Sequence, residues 1–271
     1  MHARIVWGIF ALPLLATVVT YWRLAPGATY NFDDTGAHGA ASRVVTYLNF
    51  PVAIAAIALL LIYCRGRWAW LAGLLCLVAF VPGVVSQDDL TAAWVNAPAV
   101  IGVLLAVPLT LTANPARDAP LSTLRKVLLA VCLIWAVPWI IAMLGLYAQD
   151  VPGLGDVIRS RQPTPGEPGL ASVHRGLHEG LFGAQLAASA LILSSRVRLR
   201  TASSLYLSLM FVYGVMVSAQ DGWHEQVVKR GWTDSSIPSV LTPKPTVAWG
   251  CVLGAALLVH WFWFRRGAGR Y

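Results

Sequence analysis

The sequence predicts an all-α membrane protein, a polytopic bundle of about eight transmembrane helices with both termini in the cytoplasm. Three observations lead there. Only 12% of the 271 residues are charged and 57% are hydrophobic, against roughly 25% charged in an ordinary soluble domain, and the mean hydropathy is +0.64. The apolar residues come in runs of about 18 to 22, the length that carries a helix across a bilayer core. The basic residues are concentrated in alternate connections between those runs, which is how Lys and Arg mark the cytoplasmic side.

The first run, Ile5 to Trp22, follows the short basic start "MHAR" and precedes "LAPGA". It has the order of a signal peptide but is too long for the usual apolar core of one, so it reads as an anchor that stays. The next runs are Val45 to Tyr63, Trp68 to Val85 and Ala93 to Thr112. Four more follow at Val127 to Leu146, Ala171 to Ser194, Thr201 to Ala219 and Thr246 to Phe264. The period-two alternation of a barrel strand is absent, and hydrocarbon offers backbone groups no other partner, so each run is expected to be a helix.

The connections "RGRW", "NPARDAPLSTLRK" and "RVRLR", with Arg4 and the tail "FRRGAGRY", hold most of the basic residues and a single acid, Asp118. The other acids all fall on the opposite side. The net charge of +8 is therefore a topology signal and asks for no nucleic acid; the expected surroundings are lipids of the cell membrane. Residues 1–271 read as one transmembrane domain with long outward loops at about 148–173 and 222–245. Both loops are rich in Pro and Gly, as lids and binding loops are, and they offer a surface to partner proteins. Cys64, Cys76, Cys132 and Cys251 lie in apolar runs, with neither zinc-knuckle nor disulfide spacing.

Three runs predicted to travel outward end in Gln-Asp, at Gln87, Gln149 and Gln220. Jointly lining a polar outer vestibule is the functional expectation; polar helix ends reaching water is the plain one. The strongest candidate chemistry lies in "SVHRGLHEG". On a helix His174 and His178 are four apart and share a face, followed by Glu179, and Gln185 continues the stripe. The next run climbs to "AQDGWHEQ", where Asp221, His224 and Glu225 fall on adjacent parts of one face if the helix persists through Gly222.

Three imidazoles and an open position make a catalytic zinc site. The expected ligands to zinc or another transition metal are His174, His178 and His224, with Asp221, Glu179 or Glu225 as catalytic acids or bases. Asp34, His38, Asp88 and Asp89 are further vestibule candidates. This set is loosely similar to that of the zinc-dependent membrane hydrolases of the ceramidase and adiponectin-receptor kind. The match is one H-x-x-x-H pair with separate His and Asp residues, and here the pair precedes His224, whereas in that family it lies in a late helix. The resemblance implies a metal-dependent membrane hydrolase.

No H-E-x-x-H, P-loop or G-x-S-x-G is present. The functional expectation is a membrane-embedded enzyme with an outward-facing polar site, metal-dependent and acting on a lipid or other amphipathic substrate. The alternative is a transporter or an accessory subunit of a membrane complex. Acids gathered at the outer helix ends, away from the midplane, speak against alternating access.

Overall fold

A computed structural model describes residues 1–23, 41, 44–81, 94–113, 119–143, 146, 151–153, 158, 178–195, 199–241 and 243–265. Among these residues there is no strand. Eight helices follow in order: α1, His2–Arg23; α2, Val44–Tyr63; α3, Arg67–Leu77; α4, Ala97–Thr112; α5, Thr123–Met143; α6, Glu179–Leu193; α7, Thr201–Trp223; and α8, Val247–His260. Single turns of other pitch extend several of them, a 3₁₀ turn at Val78–Phe80 after α3 and π turns at His224–Val228 and Trp261–Arg265. Each apolar run of the sequence thus contains a helix.

Among the described residues, five helical segments are long and apolar enough to cross a membrane: Val44–Tyr63, Trp94–Thr112, Thr123–Ala142, Thr201–Val228 and Val247–Phe264. The apolar stretches His2–Ala16, Arg67–Phe80 and Glu179–Leu193 are shorter. At 1.5 Å per residue, α6 is only about 22 Å long.

The bundle is arranged around α2 and α6. Every residue of α6 from Gly180 to Leu193 is buried, whereas α4, α5 and α8 turn outward apolar side chains such as Leu104, Ile134 and Leu257. Water would penalise that outer surface and lipid does not, so the packing agrees with a membrane environment.

The closest helix pair is α6 with α7. A Cβ on Gly183 would collide with the Gly214 carbonyl and the Ser218 amide, and one on Gly214 with the Gly183 carbonyl and the Ala187 amide. Small residues four apart on both helices let the two backbones touch, the usual means of association where apolar burial gives no driving force.

Proline shapes two of the helices. In α2, Pro51 follows Phe50, whose φ of −111° and ψ of −128° break the helix within a π turn at Leu48–Val52. In α1, Pro13 has no N–H to give to the carbonyl of Ile9, four residues earlier. Gln185 of α6 replaces the missing donor: its Nε2 donates to the Ile9 carbonyl at 2.9 Å. Its Oε1 accepts from the Tyr47 hydroxyl at 3.0 Å. Gln185 therefore ties α1, α2 and α6 together in the interior.

Candidate functional site

The start of α6 is held from the side by α7. His178 has extended φ and ψ of −122° and 144° and precedes the helix, which begins at Glu179. The first amides of a helix have no partner within it. Asp221 of α7 supplies one from outside, its Oδ2 accepting from the Gly180 amide at 3.0 Å, where the positive end of the α6 dipole favours an anion. One turn earlier on α7, the Ser218 hydroxyl donates to the Gly180 carbonyl at 2.6 Å. Both polar groups of the Gly180 backbone are thus bound by a single face of α7.

The same carboxylate oxygen lies 3.9 Å from Nδ1 of His178, within ion-pair range and beyond a hydrogen bond. Glu225, one turn further along in the π turn that follows α7, is buried and pairs with Lys229, whose Nζ donates to both carboxylate oxygens at 2.8 and 3.0 Å. His178, Asp221 and Glu225 are each less than a tenth exposed. A proton acceptor and two carboxylates thus share a site largely closed to solvent, with the lysine charge at its border.

Two tryptophans of α5 cover this site. The Trp139 ring lies 6.5 Å from the His178 ring, and Trp135 lies 5.9 Å from Trp139. Glycine makes room for both. A Cβ on Gly180 would strike the Trp139 ring and Asp221 Oδ2, and a Cβ on Gly222 would strike the Trp135 ring. Beside the tryptophans runs a groove of about 240 Å³, lined by Val131, Ile134, Pro138, Ile158 and Gln226 together with Trp135 and Trp139. Beyond α7, part of the predicted outer loop folds back. Val240 donates its amide to Gln220 Oε1 at 3.1 Å, and the Tyr213 hydroxyl donates to the Leu241 carbonyl at 2.7 Å.

Of the residues singled out in the sequence, the structure brings His178, Asp221 and Glu225 together. Glu179 is half-buried in the first turn of α6. The surroundings of three others are as follows. His178 is extended and precedes the helix, and His174, expected to share a helical face with it, lies outside the described residues. His224, expected beside His178, is exposed while Asp221 and Glu225 are buried, because α6 packs on the latter side of α7 and the Trp135 ring of α5 lies against Gly222. Gln185, expected in the vestibule, is engaged by Tyr47 and Ile9 two turns further along α6.

Asp34, His38, Asp88 and Asp89 lie outside the described residues. Among the described residues no group of three or more His, Cys, Asp or Glu side chains is placed to hold a metal ion. The sequence reading missed Ser218, Lys229 and the two tryptophans. Their signal was the i, i+4 spacing of Trp135 and Trp139, with glycines at the opposing positions. The chain matches no family model, no curated protein and no solved structure.

Proposed function

We propose that this chain is a membrane-embedded enzyme acting on a lipid or other amphipathic molecule at one rim of its helix bundle. His178 transfers the proton and Asp221 orients its ring. The reading includes eight crossings of the cell membrane, cytoplasmic termini and a site on the extracytoplasmic side, supported by the distribution of basic connections. One observation carries the functional part: a buried histidine faces a buried carboxylate 3.9 Å away, next to an apolar groove opened by two tryptophans. Ionisable groups kept inside a membrane bundle are costly and mark sites of function. A carboxylate fixed by the Gly180 amide holds Nδ1 of His178 on its own side, which directs Nε2 toward a reacting group. That is the base-and-orienter relation of general acid–base catalysis. The groove takes an acyl or prenyl chain, so the polar part of the substrate comes to the rim.

The test compares wild type, His178→Gln and Asp221→Asn at matched protein levels in bilayer discs made from a total lipid extract, with conversion followed by mass spectrometry. At least one lipid species is expected to be consumed by wild type, and about 100-fold more slowly by either variant. Lipid profiles that never differ between wild type and His178→Gln would remove the enzymatic reading.

A further inference from the structure

At the other end of α7, about 30 Å from Asp221 by helix length, a second groove lies between the α2–α3 hairpin and the start of α7. It encloses about 380 Å³ and adjoins a cavity of about 400 Å³. Its body is apolar, walled by Leu60, Trp70 and Leu74. Trp70 is 70% exposed and Leu74 58% exposed, which opens the groove sideways to the bilayer. Arg65 and Arg200 line both cavities, and among the described residues no acid lines either. Arg65 lies two residues past the end of the Val44–Tyr63 span, and Arg200 directly precedes the Thr201–Val228 span, so both guanidinium groups belong to one membrane surface. The turn that makes the hairpin this tight is Cys64-Arg65-Gly66, with Gly66 at a φ of +100°, a conformation that favours glycine.

The geometry points to a binding site for an anionic phospholipid. The acyl chain lies in the apolar groove, and the phosphodiester is held between Arg65 and Arg200. Guanidinium groups bind phosphate oxygens through paired, charge-assisted hydrogen bonds. The starts of α3 and α7, at Arg67 and Thr201, take no side-chain cap and add the positive ends of two helix dipoles. A zwitterionic headgroup brings its own cation against the two arginines, and free phosphate leaves the apolar body unfilled. The basic groups sit where a headgroup lies and the apolar wall where its chain lies, so this site commits to a lipid.

The test uses the full chain in bilayer discs of phosphatidylcholine, alone or mixed with phosphatidylglycerol. It reads thermal unfolding and the lipid retained on the protein in native mass spectrometry. Phosphatidylglycerol is expected to be retained in preference to phosphatidylcholine and to raise the unfolding temperature. The pair Arg65→Gln and Arg200→Gln together should reduce that preference by about tenfold or more. Gly73→Leu provides an independent arm: Gly73 lines the groove and a Cβ there meets no heavy atom within 4 Å. The variant should unfold in phosphatidylcholine as wild type does and lose the bound phosphatidylglycerol. Equal retention of the two lipids by wild type, or a preference that survives both variants, overturns the proposal. So does stabilisation by inorganic phosphate that matches phosphatidylglycerol, which would make this a site for the free ion.

Discussion

Replacing Asp221 separates chemistry from scaffolding, because this carboxylate both caps α6 and faces His178. In Asp221→Ala the Gly180 amide loses its acceptor inside the protein, at about 1–3 kcal/mol. The favourable charge at the helix N-terminus also goes, at up to about 1 kcal/mol. The total of about 3 kcal/mol corresponds to a fall in unfolding temperature of roughly 6–12 °C for a chain of this size. Asp221→Asn differs in kind. Its amide oxygen still accepts from Gly180, so only the charge-dependent part is lost, about 1 kcal/mol or roughly 2–4 °C. The asparagine cannot stabilise a protonated His178, so turnover should fall about 100-fold in a protein that remains folded. The assay is thermal unfolding in detergent alongside lipid conversion in discs. Equal destabilisation by Asn and Ala, or full turnover in Asp221→Asn, would refute the reasoning.

Gly183→Ala places a methyl against the Gly214 carbonyl, a backbone atom that cannot yield, and is expected to destabilise by about 1–3 kcal/mol. Gly250→Ala on α8, where a Cβ meets nothing within 4 Å, should be neutral or stabilising by up to about 1 kcal/mol; unfolding temperatures of the two variants check both. His224→Ala should leave stability and turnover unchanged, since that side chain is exposed, and loss of a bound zinc equivalent in this variant would return His224 to the site. Gln185→Leu removes the donor to Ile9 and the partner of Tyr47, so it should destabilise by about 2 kcal/mol, read as an unfolding temperature lower by roughly 4–8 °C.

The helices were legible because every stretch that must satisfy its backbone without water also has to be apolar for a full turn-by-turn length, and that demand leaves long runs in the chain. Their ends were less legible where another helix decides them. The start of α6 is set by Asp221, 41 residues away, binding Gly180, and no local pattern around His178 announces that partner. Likewise α7 does not stop at Ala219: it continues past Gly222, which accepts the Trp135 ring, to Trp223, and a π turn then carries Glu225 to its pair with Lys229. Asp221 and Glu225 were found because charges in an apolar chain stand out. The choice between Glu225 and His224 as the inward residue depends on where α6 packs on α7, and a single amphipathic face cannot state that.

The contact between Gln185 and Ile9 also has a meaning in time. The two residues are 176 apart in sequence. At about 5–20 residues per second of synthesis, α1 is made roughly 9 to 35 seconds before its missing donor exists. During that interval the Ile9 carbonyl has to find another donor, such as water or a neighbouring side chain. Of this pair of helices, the earlier one is therefore expected to settle only once the later one has been made. A chain that ends before residue 185 lacks the donor to Ile9, and α1 is expected to be held less firmly in it.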